Sequence, residues 1–244
     1  MPDPDNTGVG RQEDHMNFFV AFDESGGSYY LTKAGTVSII ILSLAILFTI
    51  GFVSTDTTKK KTYSAKQLTF TALAIALSFV LSFVKIFHMP WGGSITACSM
   101  LFVSLIGYWY GLKAGLIAGF IYGCLQFIQG GGSYILDPLQ ACLDYFFAFT
   151  ALGLTGLFRK LKRLPFEIGY SFAVIARGAF HALGGYFYWM DYMPENFPAS
   201  LKAVYPIAYN YAYLIPEAVL TLVVISLPPV RKALSKVKEL ALDI

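Results

Sequence analysis

Charged side chains are scarce in this sequence of 244 residues: they make up 14% of it, against roughly a quarter in ordinary soluble domains. Between residues 67 and 158 the charged side chains are Lys85, Lys113, Asp137 and Asp144 alone. Apolar residues make up 56% of the chain, and the mean hydropathy is +0.57. A soluble domain would need far more polar surface over such a length, so the composition indicates an integral membrane protein.

The motifs of common catalytic chemistry are also missing. There is no G-x-x-x-x-G-K-[ST] loop, so the chain is not expected to hydrolyse ATP, and neither G-x-S-x-G nor H-E-x-x-H occurs. Cys98, Cys124 and Cys142 are widely spaced in apolar stretches, which favours small core residues over disulfides or metal ligands. We therefore expect a protein that is not an enzyme and that has no cofactor, no metal and no nucleic-acid partner.

Long apolar runs predict helices that span the membrane, because lipid tolerates no other open structure. The predicted fold class is an all-α integral membrane protein, a six-helix bundle over 67–230 plus one extra N-terminal transmembrane helix over 34–54. The six spans of the bundle are predicted at 67–84, 94–110, 112–129, 138–157, 167–190 and 205–227. The remaining segments are an N-terminal tail over 1–33, a basic linker over 55–66 and a C-terminal tail over 231–244.

The positions of lysine and arginine predict the orientation, since cytoplasmic loops are enriched in both residues. Counted with 34–54 as the first span, the third span is 94–110 and the fifth is 138–157. Most of the 18 lysines and arginines fall on one side of the membrane if the linker, the loops after these two spans and the C-terminus are cytoplasmic. These cations are Lys59, Lys60, Lys61, Lys66, Lys113, Arg159, Lys160, Lys162, Arg163, Arg231, Lys232, Lys236 and Lys238. We expect a multi-pass protein of the bacterial cell membrane with its N-terminus outside and its C-terminus in the cytoplasm.

Three polar residues on three different helices are predicted to lie at a similar depth. Counting about 1.5 Å per residue from the outer helix ends puts Asp144 roughly 10 Å deep, His181 roughly 12 Å and Asn210 roughly 7 Å. Ionisable residues inside a bilayer are costly and usually functional. Arg177 and Glu217 are also intramembrane, and for these two a structural pairing that holds the bundle together is the favoured interpretation.

Aromatic residues surround this level, and the set includes Trp91, Tyr134, Tyr145, Trp189 and Tyr205. Each of them taken singly is as well explained by the aromatic belt at a membrane interface. Together with an acid, however, the rings suit a flat organic cation, because they supply stacking and cation–π attraction while the carboxylate neutralises the charge. His181 and Asn210 would add directional hydrogen bonds.

Small residues four apart mark two helix faces that allow close helix approach. Gly115, Gly119 and Gly123 are expected to pack within the bundle, whereas Ala72 and Ala76, which follow the basic linker, are candidates for contact with a partner protein.

From Gln67 onward the chain resembles the thiamine-specific S-components of energy-coupling factor transporters. The resemblance rests on Met89-Pro90-Trp91-Gly92-Gly93-Ser94, on Leu143-Asp144-Tyr145 with Tyr134 before it, on His181 with Trp189, on Tyr205 with Asn210, and on the Ala72/Ala76 pair. Some members of the family carry glutamate where Asp144 stands.

The resemblance implies a six-helix substrate-binding subunit of an ATP-driven vitamin importer. Such a subunit captures thiamine from outside and delivers it together with a membrane coupling protein and ATPase subunits. Asp144, Tyr145, His181, Trp189, Asn210, Tyr205, Trp91 and Tyr134 would bind the vitamin, and Ala72 and Ala76 would dock on the coupling protein.

Two alternatives stay open at this point. A stand-alone secondary transporter of thiamine or a related organic cation could move a proton on Asp144 or Glu217. An intramembrane enzyme without a familiar motif is the third hypothesis. Uptake by the purified chain in liposomes, with and without a proton gradient, separates the first alternative from an ATP-driven importer.

Overall fold

A computed structural model describes residues 20–23, 28–32, 34, 37–38, 41, 64–90, 93–130, 135–136, 138–195 and 197–243. The predicted extra helix over 34–54 and the linker over 55–66 lie almost entirely outside the described residues, as does most of the predicted tail over 1–33. Within that tail, strands β1 (Val20–Asp23) and β2 (Ser28–Leu31) pair in an antiparallel hairpin. The bundle is formed by the residues from Ser64 onward.

Six helices form this bundle, and a seventh follows them. They are α1 (Ala65–Ser82), α2 (Leu101–Tyr110), α3 (Leu112–Gln129), α4 (Pro138–Phe158), α5 (Pro165–Gly184), α6 (Tyr205–Ser226) and α7 (Pro228–Leu242). Within the described residues, α1, α3, α4 and α6 are long and apolar enough to cross a membrane, and α2 is a shorter apolar helix. The predicted all-α bundle of six helices is confirmed.

The outer surface of the bundle is apolar, as a protein dissolved in lipid requires. Leu73 on α1, Ile175 on α5 and Val219 on α6 are all more than half exposed. The interior is also apolar and closely packed. Met100, Val103, Ile106 and Leu152 are among its largest side chains and are fully buried. A bundle that is apolar on both sides belongs in the hydrocarbon core of a bilayer.

The segment predicted as a span over 94–110 is only partly helical. Residues Lys85–His88 form strand β3 and Ser94–Thr96 form strand β4, which pair as an antiparallel hairpin, and α2 begins only at Leu101. Two backbone positions with positive φ, Gly93 at 74° and Cys98 at 60°, break the helix that the apolar composition predicted. Composition alone does not reveal such local conformations.

The residues predicted as a C-terminal tail over 231–244 form most of helix α7. Its apolar positions Val230, Leu234, Val237 and Ala241 are spaced as on one helix face. Ala241 is buried against the bundle, and the hydroxyl of Tyr110 donates to its carbonyl oxygen at 3.1 Å. Lys66 at the start of α1 pairs with Asp243 just after α7.

The two ends of the bundle differ in character. The first, called the hairpin end below, holds the β3–β4 hairpin, the start of α4, the end of α5 and the start of α6. The opposite end, called the basic end, holds the start of α1, the α2–α3 junction, the α4–α5 loop and α7. All of the described cations that the sequence predicted to be cytoplasmic lie at or near this basic end.

Glycines allow α2, α3 and α4 to touch backbone to backbone. A Cβ atom on Gly115 would lie 2.5 Å from the Cα of Gly107 and 2.7 Å from the carbonyl oxygen of Gly153. A Cβ atom on Gly119 would lie 2.5 Å from the carbonyl oxygen of Phe149. The predicted packing of the glycine stripe within the bundle is confirmed, and Gly107 and Gly153 belong to the same contact.

Gly153→Ala should therefore destabilise the protein, because its methyl group would overlap the backbone of α3 at Gly115 and Leu116. Overpacking of this kind costs about 1–3 kcal/mol, which corresponds to a fall in Tm of several degrees for a chain of this size. Thermal unfolding in detergent measures it. The matched control, Ala208→Val, adds more volume at an exposed position of α6 and should leave Tm nearly unchanged; equal Tm values for both variants would contradict the close contact.

Candidate ligand-binding cavity

A cavity of about 590 Å³ opens among the β3–β4 loop, α4, the end of α5 and α6. Six of the eight predicted ligand residues line it: Asp144, Tyr145, His181, Trp189, Tyr205 and Asn210. The other two, Trp91 and Tyr134, lie outside the described residues. Helices α4, α5 and α6 thus bring together side chains that are up to 66 positions apart in the sequence.

Asp144 lies on a π-helical turn, Cys142–Phe147, within α4. Such turns carry one extra residue, change the direction of the side chains that follow and are frequent at functional sites. The carboxylate of Asp144 is mostly enclosed, with a side-chain exposure of 15%. It is the only acidic side chain among the residues lining this cavity within the described part of the chain.

Three donors surround this carboxylate. The side-chain amide of Gln140 donates to Oδ2 at 2.7 Å, and the indole N–H of Trp189 donates to the same oxygen at 3.2 Å. Nδ1 of His181 lies 3.4 Å from Oδ1. His181 was predicted to lie at a similar depth to Asp144, whereas Gln140, which is only 1% exposed, was missed. Its spacing of four residues before Asp144 was the available signal.

Gly184 brings α5 close enough for these contacts. A Cβ atom at this position would lie 2.6 Å from Oδ1 of Asp144, so a larger residue would displace the carboxylate or the helix. The next residues, Gly185–Trp189, form a second π-helical turn that carries Trp189 to the cavity. The sequence showed two adjacent glycines here but not what they approach.

Arg177 and Glu217 do not form the ion pairs that the sequence suggested. Among the described residues, neither lies within 4.0 Å of an oppositely charged group. The Nε–H of Arg177 donates to Nε2 of His181 at 3.3 Å, and its guanidinium carbon lies 4.1 Å from the ring centre of Phe149. Since Nε2 of His181 accepts this bond, Nδ1 carries the proton and donates to Asp144.

Glu217 instead holds the β3–β4 hairpin against α6. Its carboxylate accepts from the backbone N–H of Thr96 at 2.9 Å, from the Thr96 hydroxyl at 2.7 Å and from the Ser99 hydroxyl at 3.0 Å. Three donors satisfy a buried carboxylate without a cation. Glu217 therefore has the structural role predicted for it, with hydroxyl and amide partners in place of a charged one.

A row of tyrosines on α6 forms one wall of the cavity. Tyr205, Tyr209 and Tyr213 follow each other at four-residue intervals, with ring centres 5.8 Å and 6.1 Å apart. The hydroxyl of Tyr213 donates to Oδ1 of Asn210 at 2.9 Å. Gly93 packs against the Tyr213 ring. Tyr209 and Tyr213 were missed, although their helical spacing from Tyr205 was visible.

A second cavity of about 400 Å³ adjoins the first and shares Tyr145, Phe149 and Tyr213 with it. Its lining is more polar and includes Gln126 and Gln129, whose side chains bond each other at 3.0 Å. The second cavity also contains a carboxylate, Glu217, but Arg177 and Lys85 line it too. The first combines one carboxylate with several rings and has no lysine or arginine among its described lining residues, an arrangement suited to an aromatic cation.

The fold and the cavity define a class: a multi-pass membrane protein with an aromatic and acidic ligand cavity near one end of a six-helix bundle. The family model described as Thiamine transporter protein (Thia_YuaJ) matches residues 68–237. This chain belongs to that family. Its relatives are named as transporters and not as enzymes, in agreement with the expectation that it is not an enzyme.

Two curated relatives are each named Thiamine transporter ThiT. The protein from Bacillus subtilis is 30% identical over 169 residues, which cover 64% of this chain and 84% of that protein. The protein from Lacticaseibacillus paracasei is 31% identical over 174 residues, which cover 64% of this chain and 82% of that protein. A solved structure of ThiT from Listeria monocytogenes has a TM-score of 0.53 at 24% identity, covering 67% of this chain and 94% of that one, and shows the shared fold.

Proposed function

We propose that this protein captures thiamine from outside the cell and delivers it as the substrate-binding subunit of an ATP-driven importer. The observation that carries the proposal is the cavity, which joins the Asp144 carboxylate to the rings of Tyr145, Trp189 and Tyr205 in a member of the thiamine transporter family. Thiamine is an organic cation with two flat aromatic rings, of which the thiazolium ring carries the charge. The match between a flat cation and this lining supports thiamine as the ligand.

The cavity residues divide the recognition of thiamine between them. Asp144 neutralises the positive charge of the thiazolium ring, while the aromatic side chains stack on the flat rings. Asn210 adds hydrogen bonds that fix the orientation of the ligand, while His181, whose two ring nitrogens are engaged by Arg177 and Asp144, holds the carboxylate in place and lines the cavity with its ring. Trp91 and Tyr134, for which the sequence predicts the same role, remain part of the proposed site.

The charge distribution supports an orientation with the cavity facing outward. The basic end of the bundle carries the cations of the α4–α5 loop and α7, and cytoplasmic loops are the ones enriched in lysine and arginine. The hairpin end, where the cavity lies, is then outside, and the C-terminus is cytoplasmic. Substrate enters from the outside under this arrangement.

An exposed face of α1 supports docking to a coupling protein. Ala72 and Ala76 are exposed, and so are Leu73 and Leu77, at 55% and 46%. Small residues let a partner helix come close, and the leucines beside them add apolar contact area. The ATPase subunits would supply the energy, because this chain has no phosphate-binding loop.

Binding by the purified chain tests the proposed ligand. Thiamine should quench the tryptophan fluorescence, since Trp189 lines the cavity, and neither riboflavin nor biotin at similar concentration should compete. Competition by either vitamin would contradict the thiamine assignment. In liposomes the chain alone should show no net thiamine uptake with or without a proton gradient; uptake driven by the gradient would support the secondary transporter instead.

Gln140→Leu should weaken thiamine binding because it removes the nearest donor to Asp144. A hydrogen bond to a charged group contributes about 1.5–3 kcal/mol, or roughly 10- to 100-fold in affinity. The matched control is Gln129→Leu, which removes a glutamine from the second cavity without touching Asp144. Fluorescence titrations compare the two, and equal affinities would show that Gln140 does not position the carboxylate.

A further inference from the structure

Exposed cations cluster in two segments at the basic end of the bundle. The basic face, as it is called here, consists of Arg231, Lys232 and Lys236 on α7 with Lys160, Lys162 and Arg163 in the α4–α5 loop. All six side chains are exposed, and none makes a side-chain hydrogen bond or ion pair with another described residue. These six positively charged side chains therefore have no hydrogen-bond or ion-pair partner in the described part of the chain.

Helix α7 is held in a definite orientation against the bundle. On its inner side Ala241 is buried, and the Tyr110 hydroxyl donates to its carbonyl oxygen. The ammonium group of Lys238 donates to the Tyr108 hydroxyl at 3.2 Å and lies 4.8 Å from the centre of that ring. Arg231, Lys232 and Lys236 are exposed on the same helix.

The α4–α5 loop leads into α5 next to Tyr108. The ring of Phe166, at the start of α5, is 5.5 Å from the Tyr108 ring, and Lys238 contacts the same tyrosine. Tyr108 therefore links the two halves of the basic face. Both halves lie where α1, α3 and α4 begin or end, and this is the level at which spans of this length leave the hydrocarbon core.

Exposed leucines alternate with the cations. Leu161 and Leu164 flank Lys162 and Arg163 with exposures of 44% and 55%, and Leu240 near the end of α7 is 62% exposed. A soluble anion has no apolar part that could contact these leucines. A phospholipid offers both parts: its headgroup phosphate pairs with lysine or arginine, while the leucines and the hydrocarbon stems of the cations enter the boundary with the acyl chains.

We propose that the basic face binds the headgroups of anionic phospholipids, with α7 lying in the membrane interface as an amphipathic helix. Anionic lipid attracts cations close to the membrane surface. The acidic residues near the face are Glu239, exposed on α7, Glu167, half-buried in the first turn of α5, and Asp243, which is paired with Lys66. Lipid bound here supports the packing of α7 on α2. The inference does not depend on the identity of the transported ligand.

Thermal unfolding of the full chain tests the proposal. The purified protein in neutral detergent is mixed with phosphatidylglycerol or with phosphatidylcholine of the same acyl chains. Phosphatidylglycerol should raise Tm by roughly 5 °C more than phosphatidylcholine does, because a ligand of the folded state stabilises it. The excess should shrink as salt is added, since salt screens exposed charges.

Two variants locate the effect. The triple variant Arg231→Gln/Lys232→Gln/Lys236→Gln should lose most of the excess, while Lys202→Gln, which removes an exposed cation at the opposite end, should keep it. Cooperative unfolding without lipid shows that each variant is folded. A triple variant that keeps the full excess would overturn the proposal.

Glycerophosphoglycerol, the headgroup without its acyl chains, separates a membrane lipid from a soluble anion. It should produce little or no rise in Tm at the same concentration. An equal rise with the headgroup alone, or an equal rise with both lipids, would also overturn the proposal.

Discussion

Replacing Asp144 with asparagine should weaken thiamine binding by at least about 30-fold and by as much as several-thousand-fold. The range follows from the cost of removing one partner of a desolvated charge pair, about 2–5 kcal/mol, converted to affinity. Asparagine keeps the size of the side chain and removes its charge. The donors Gln140, Trp189 and His181 would then face a neutral oxygen or an amide nitrogen, and the thiazolium ring would lose its counter-charge.

Asp144→Glu is the matched control, because it restores the charge. Asp144 lines a cavity of about 590 Å³, and glutamate stands at this place in some S-components of the family that the sequence resembles. We expect it to bind thiamine well. Titration of both variants against the unaltered protein, with thermal unfolding as a control for folding, measures the effect. Unchanged binding by Asp144→Asn would mean that the acid has a structural role only.

Replacing Ala72 or Ala76 with tryptophan should abolish thiamine uptake by the assembled importer and leave binding intact. Both alanines are exposed on α1 and lie away from the lining of the cavity. A bulky side chain there would keep a partner helix at a distance without disturbing the bundle. Uptake into cells that contain the coupling protein and ATPases, together with binding by the purified variant, measures the two effects.

The control for this experiment is Ala179→Trp, at an exposed position of α5. It places the same bulk on a different face of the bundle and should leave uptake largely intact. If thiamine binding falls as far as uptake does in the Ala72 and Ala76 variants, the alanine face belongs to the internal packing and the docking proposal fails.

Helix positions were predictable from the sequence because the membrane imposes a length and a composition on each span. The predicted span over 112–129 coincides with α3 (Leu112–Gln129), and that over 67–84 is displaced by two residues from α1 (Ala65–Ser82). The β3–β4 hairpin was missed since its strands are short and partly apolar, and the break depends on the backbone at Gly93 and Cys98.

Helix α7 was predicted as a tail although its sequence carried a helical signal. Apolar residues recur along it at the spacing of one helix face, while cations occupy the rest of the surface. Amphipathic helices at an interface combine these two features.

The sequence predicted which helices line the candidate cavity but not the directions of their side chains. A constant rise per residue places Asp144, His181 and Asn210 at one level, and all three line the same cavity. Depth does not say which way a side chain points, however, and that depends on the π-helical turns at Cys142–Phe147 and Gly185–Trp189. For this reason the bond of Trp189 to Asp144 and the close approach of Gly184 were visible only in the structure.

An experimental structure of the protein with thiamine bound tests the central claim most directly. The vitamin should lie in the cavity among α4, α5 and α6, with its thiazolium ring near the carboxylate of Asp144 and its flat rings against Trp189 and the tyrosines of α6. Thiamine bound elsewhere on the protein, or bound in this cavity with its charged ring turned away from Asp144 towards Arg177, would contradict it.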